Sequence, residues 1–242
     1  MAFLKPSYNY FRPFGSAAPI PTDNLVLALN SENVVKSTVG SDELVSQLNS
    51  LYGVGNDATQ ATDANKPKWL DNQINGYPSL QIPDGDLRYM DFTKIFASLS
   101  NYTIYIVLKH QTNSSTTSNR VISGDSALSE GQLRTSSATS TIGWGVSQPG
   151  SGNRFSDVAP TPSNWAYLTA TPNNLYFSGV EETYFLTDNP QLKGLSRLFA
   201  SVGGTIGNNF VGEFASIYVY DVIHNGTTIG NVESYLSTKY NL

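Results

Sequence analysis

The sequence predicts an all-β fold: a sandwich of two antiparallel sheets closed by a short C-terminal helix. Three observations carry this. Short apolar runs recur between turn signals along most of the chain, the pattern of a sandwich of many short strands. The run Thr103-Ile-Tyr-Ile-Val-Leu-Lys109 is apolar on both alternating faces, as a central strand covered on both sides must be. The chain ends in an alternating strand, Phe210–Tyr220, and then a helical stripe, Ile229, Val232, Leu236 and Tyr240, spaced by three, four and four.

Composition agrees. The chain has 242 residues, enough for one large β domain that needs no disulfide, and it contains no cysteine. Charged residues are 14% of the chain, against about 25% in ordinary domains. Gly, Ser, Thr and Asn fill the difference, as turns require. The formal charge is −5 with no basic stripe, which argues against a nucleic-acid partner. Met1-Ala-Phe-Leu4 is cut short by Lys5 and Pro6, so no signal peptide is expected, and no run reaches the roughly 18–20 apolar residues of a membrane span.

Residues 1–24 read as a separate extended arm. Pro6, Pro13, Pro19 and Pro21 break regular structure, yet Phe3, Tyr8, Tyr10, Phe11 and Phe14 are more aromatics than a free linker carries. The arm therefore lies on a surface, either its own domain's or a partner's. The domain proper spans 25–242.

Leu25-Val-Leu-Ala-Leu29 opens the domain as a strand. Glu43–Asn49 is a short turn or strand, and Tyr52–Asp57 is a Gly-rich turn. Trp69-Leu70 and Ser79-Leu-Gln-Ile-Pro83 flank Asn75-Gly76, a strong hairpin signal. Strands also fit Val121-Ile122, Thr141–Val146, Trp165–Leu168, Glu182–Leu186 and Arg197–Ser201. In the last strand, alternation places Ala215, Ile217 and Val219 on one face, and Phe214, Ser216, Tyr218 and Tyr220 on the other. No repeat of fixed period is visible.

Two blocks carry a resemblance. The front block runs Leu25–Leu29, Asn56-Asp-Ala-Thr-Gln60, Lys66-Pro67, Asn75-Gly-Tyr-Pro-Ser-Leu80, Asp84-Gly-Asp86 and Thr103–Val107. The rear block is Phe210–Leu242, with Glu233-Ser-Tyr-Leu-Ser-Thr-Lys-Tyr240 on its helix. In order and spacing these resemble the laminin G-like, or concanavalin A-like, superfamily, and cover about half the chain. The resemblance implies a jelly-roll sandwich. The stretch from His110 to Asn189 matches no motif. Where relatives often place Glu in the final strand, this chain has Ser216.

The superfamily includes glycoside hydrolases, which set two carboxylates on one face of a strand about 5–5.5 Å apart in retaining enzymes. Glu181-Glu182 and Asp42-Glu43 are adjacent and point to opposite faces, and Glu213 stands alone, so no catalytic residue is assigned. The two histidines, His110 and His224, read as surface residues at strand ends or turns. Gly53-Val-Gly-Asn-Asp57 lacks the Lys-Ser/Thr of a phosphate loop. Asp84 and Asp86 are weak calcium candidates, since relatives hold calcium near a ligand rim. Two carboxylates fall short of six to eight oxygens, so a plain turn is preferred and no metal or cofactor is assigned. Trp165 and Tyr167 are the candidates for stacking on sugar rings; Trp144, flanked by glycines, reads as core.

Three functions follow. The first is a non-catalytic virion component of a bacteriophage (capsid decoration, fibre or tail), made in the host cytoplasm. Its arm would grip other virion proteins or copies of itself, and its jelly-roll body would bind glycans. The second is a carbohydrate-binding or adhesion module of a non-viral protein. The third is a cryptic glycoside hydrolase.

Overall fold

The structure is a computed structural model that describes residues 20–52, 55–93, 99–111, 118–124, 132–136, 143–148, 152–153, 164–181, 194–200 and 209–242. The predicted β-sandwich jelly roll is present, with antiparallel pairing along every strand ladder. One layer holds β1 (Leu25–Asn30), β5 (Lys68–Ile74), β6 (Tyr77–Ile82), β8 (Thr103–His110), β13 (Trp165–Ala170), β14 (Leu175–Phe177), β15 (Val180–Glu181) and β17 (Gly212–Tyr220). The other holds β2 (Val34–Val39), β3 (Asp42–Leu48), β4 (Ala58–Thr59), β7 (Met90–Phe92), β9 (Ser118–Gly124), β10 (Gln132–Ser136), β11 (Gly143–Gln148), β12 (Gly152–Asn153) and β16 (Leu195–Leu198). A single pairing, Leu44 opposite Lys68, stitches β3 to β5 and joins the layers.

β17 organises the first layer. One edge pairs with β8 along its whole length; the other takes β6 at Gly212–Phe214 and then β1 from Ser216 onward. β8 lies between β17 and β13, as its two apolar faces predict. Ile104, Ile106 and Leu108 fill the core between the layers with Leu27, Leu80, Met90, Ile122, Phe214 and Ile217. Tyr105 and Val107 face outward, into a second core beneath α1 (Gly226–Tyr240). The expected stripe Ile229, Val232, Leu236 and Tyr240 is buried there. Asn225 caps the helix by accepting from the Thr228 amide, and Asn241 ends it in the left-handed region.

The expected faces of β17 need correction. The β17–β8 register slips between Phe214 and Ser216. Phe214 therefore joins Ile217 and Val219 in the inner core, while Ala215 joins Tyr218 and Tyr220 under the helix. One extra residue in a bulge inverts the alternation on either side of it. The strand Val34–Val39 was not foreseen: both its faces are largely exposed, so its sequence carries no clear alternation. Asn75 and Gly76 make the expected hairpin turn, both at positive φ.

The arm's described end, residues 20–24, is fastened to the domain. Ile20 is buried in the helix-side core, and the Tyr220 hydroxyl donates to the Pro21 carbonyl. Phe3, Tyr8, Tyr10, Phe11 and Phe14 lie outside the described residues, as does the expected strand Glu182–Leu186.

Candidate functional site

Four strands bring one row of side chains to the outer face of the first layer. Trp165 on β13 is the register partner of Lys109 on β8; Lys109 is that of Glu213 on β17; Glu213 is that of Gln81 on β6. Directly paired residues of antiparallel strands share a face, so the row spans about 14 Å at the usual strand spacing.

The row is chemically structured. Lys109 Nζ donates to Glu213 Oε1 at 2.8 Å, and Ser79 Oγ donates to Glu213 Oε2 at 2.7 Å. Both carboxylate oxygens are thus held, and the side chain is only 4% exposed. Lys109 is more open, at 21%, and its ammonium stands 5.9 Å from the centre of the Trp165 ring. Trp165 is half-buried, one side resting against the helix-side core. The arrangement offers a flat aromatic face, ammonium donors and a fixed carboxylate side by side.

The sequence pointed to Trp165 but missed Lys109, Ser79 and Gln81. A usable signal existed. Lys109 and Glu213 are lone charges of opposite sign near the ends of the two most apolar strands. Isolated opposite charges on neighbouring central strands tend to pair, because neither tolerates burial alone.

Tyr167, the second stacking candidate, is two residues further along β13 and only 9% exposed, in the helix-side core. Its hydroxyl lies against Gly179, where a Cβ would sit 2.9 Å away. Beside it is Glu233 of α1, buried and accepting a 2.7 Å hydrogen bond from Thr169 Oγ1. Burial pushes the Glu233 pKa up, only partly offset by Thr169, and Glu233 in turn raises the tyrosines that face it, Tyr105, Tyr167 and Tyr176, whose own burial acts first. An acid whose folded pKa lies above its unfolded value favours folding below the unfolded value, and that benefit is lost as pH rises through the folded one. Glu233→Gln keeps an acceptor for Thr169 without the charge. It is expected to melt higher than the parent near neutral pH and at the same temperature near about pH 4; a melting series across pH checks this.

Among the described residues, the two buried carboxylates, Glu213 and Glu233, are anchored at different levels of the first layer. Thr169, which holds Glu233, pairs with Tyr105; Lys109, which holds Glu213, lies four residues further along β8. Their anchoring positions are thus about 13 Å apart along the strand, whereas glycosidase carboxylates stand about 5–9.5 Å apart. Asp42 and Glu43 are bound to Lys68 and Lys36, and Glu181 accepts from Asn174; Glu182 lies outside the described residues.

Asp84 and Asp86 lie at the predicted turn, with Gly85 at positive φ. The Asp86 carboxylate is taken by Arg88, and among the described residues no three acidic or histidine side chains gather as metal ligands. His110 ends β8 as expected, but it is buried, packed near Phe210, and its pKa is lowered to about 4 by desolvation. It is thus no surface residue. The other histidine, His224, is half-buried with Nδ1 2.8 Å from the Tyr105 hydroxyl. Trp144 is on β11, and its side chain is outside the described residues. No described helix is long and apolar enough to cross a membrane.

No protein-family model and no curated protein matches the chain. Solved structures do. The heptameric SAP-like pentraxin of Limulus polyphemus is 12% identical with a TM-score of 0.51, over 63% of this chain and 79% of that one. The binding domain of botulinum neurotoxin serotype G is 12% identical with a TM-score of 0.55, over 88% of this chain and 51% of that one. A structure of botulinum neurotoxin type C, whose cell entry depends on interaction with two ganglioside molecules, is 11% identical with a TM-score of 0.54, over 88% and 51%. The chain spans about half the length of the neurotoxin structures it matches. At these identities the likeness is one of fold: this chain has the β-sandwich architecture that a pentraxin and the toxin binding domains share.

Proposed function

We propose that the protein is a non-catalytic carbohydrate-binding β-sandwich module. Its ligand face is the row of Trp165, Lys109, Glu213 and Gln81. The observation that carries this reading is the partly exposed indole set level with a fixed ammonium–carboxylate pair. A sugar ring has an apolar face that fits an indole and a rim of oxygens that accept from the ammonium, which Glu213 holds in place. Tyr167 lies beside this face on the same side of β13, packed under the helix. The fold similarity is consistent with the reading, since the type C neurotoxin is described with gangliosides, which carry sugars. Catalysis has no support in the spacing of Glu213 and Glu233.

The virion role rests on arm aromatics outside the described residues; the similar structures named above are a pentraxin and toxin domains. What the fold supports of that expectation is its glycan-binding body.

The test is a glycan array with the purified chain and Trp165→Ala. The parent should bind a defined set of glycans, and the variant should lose about 2 kcal/mol, or about thirtyfold in affinity, the scale of a central aromatic anchor. A folded parent that binds no glycan, or a variant that binds as well as the parent, refutes the proposal.

A further inference from the structure

We infer that this face selects uncharged sugars, and that Glu213 is the residue that sets this selectivity by neutralising Lys109. The inference rests on the glycan-binding reading above and adds the charge class of the ligand.

The argument starts from charge balance within the row. Its one cation and its one anion are bonded to each other at 2.8 Å, so the site presents a dipole with no net charge. An ammonium has three donors, and Glu213 takes one of them. The remainder can meet neutral acceptors, the ring and hydroxyl oxygens of a sugar. An anionic sugar needs more than a donor. To gain from Lys109 as a counter-ion, its carboxylate or sulfate must compete with Glu213. Glu213 cannot withdraw: it is nearly buried, and Ser79 holds its other oxygen. A second anion at the same ammonium would stand close to a fixed, poorly solvated carboxylate, and like charges at such range repel strongly.

The other described lysines are no freer. Each of the five described lysines, Lys36, Lys66, Lys68, Lys109 and Lys239, is ion-paired with an Asp or Glu. The whole chain carries −5, so its long-range field also opposes an anion. The built-in pairing acts as an exclusion device: it leaves hydrogen-bond donors in place while removing the free positive charge.

The experiment compares neutral glycans with sialylated, uronate-containing and sulfated ones, using the parent chain, Glu213→Gln and Trp165→Ala. Gln retains an acceptor for Ser79 but releases the Lys109 charge. The parent should bind neutral glycans only, and about a tenfold rise in salt should leave that binding within about twofold, because no net charge is involved. Glu213→Gln should gain acidic glycans by about tenfold or more, and that gained binding should fall with salt. If the parent binds acidic glycans as tightly as neutral ones, the selectivity claim is overturned while the glycan face stands. A parent that binds no glycan at all overturns the underlying reading, and the selectivity claim with it. Should Glu213→Gln fail to fold, the parent's preference and its salt dependence decide alone: strong salt-sensitive binding of acidic glycans refutes the claim, and salt-insensitive binding confined to neutral ones supports it.

Discussion

Gly212→Ala is expected to destabilise the domain by about 4 kcal/mol, the sum of an overpacked backbone contact and a disfavoured dihedral. Gly212 opens β17 with φ at +146° and pairs with His110 on one side and Ile82 on the other. A Cβ built there would stand 2.1 Å from the Lys109 carbonyl oxygen and 2.9 Å from the Phe210 ring. The first contact is with backbone, which cannot swing aside as a side chain can. Relief requires β17 and β8 to separate where Lys109 meets Glu213, so the same substitution should also disturb the proposed ligand face. Gly40→Ala is the control. Gly40 also has positive φ, +63°, but nothing lies within 4 Å of its Cβ position. That change should cost only about 1 kcal/mol, from strain alone. Urea midpoints of the two variants, at unchanged slope, measure the difference; equal midpoints would refute the steric argument.

Gly212 shows what a sequence conceals. Nothing around it marks a close backbone approach, because the backbone atom it nearly touches belongs to Lys109, about a hundred positions away. The bulge at Phe214–Ser216 is hidden in the same way. The letters alternate smoothly, and only the pairing with β8 reveals that one residue is extra. Elements whose cause is local were legible. Asn75-Gly76 turns because those two residues tolerate positive φ. The stripe on α1 was visible because four apolar residues repeat at helical spacing, and β8 because both its faces are apolar. The candidate site is mixed. Trp165 was legible as an aromatic in a polar, proline-rich setting. Its neighbours in the row come from three other strands, and Ser79 and Glu213 are 134 residues apart. Tyr167 illustrates the opposite difficulty: alternation placed it on the same face as Trp165, but the helix that covers it is drawn from the far end of the chain.

Replacing Lys109 with methionine is expected to cost about 3 kcal/mol, and the loss comes from Glu213 rather than from the lysine. Methionine retains most of the aliphatic stem that lies along the sheet, so packing changes little. The carboxylate, 4% exposed, keeps its bond from Ser79 but loses its counter-charge. A buried charge stripped of its partner typically costs about 3–5 kcal/mol, and the partial solvent access at Lys109 places this case at the lower end. One measurement separates this cause from a general loss of packing. Adding Glu213→Gln to Lys109→Met should recover most of the stability. The amide still accepts from Ser79 and carries no charge, whereas an apolar residue would leave that buried hydroxyl unsatisfied at a cost of about 1–3 kcal/mol. Restored stability without restored glycan binding in the double variant would show that the pair serves recognition and that the fold only requires its charges to balance. If the double variant is no more stable than Lys109→Met alone, the stranded-charge explanation fails.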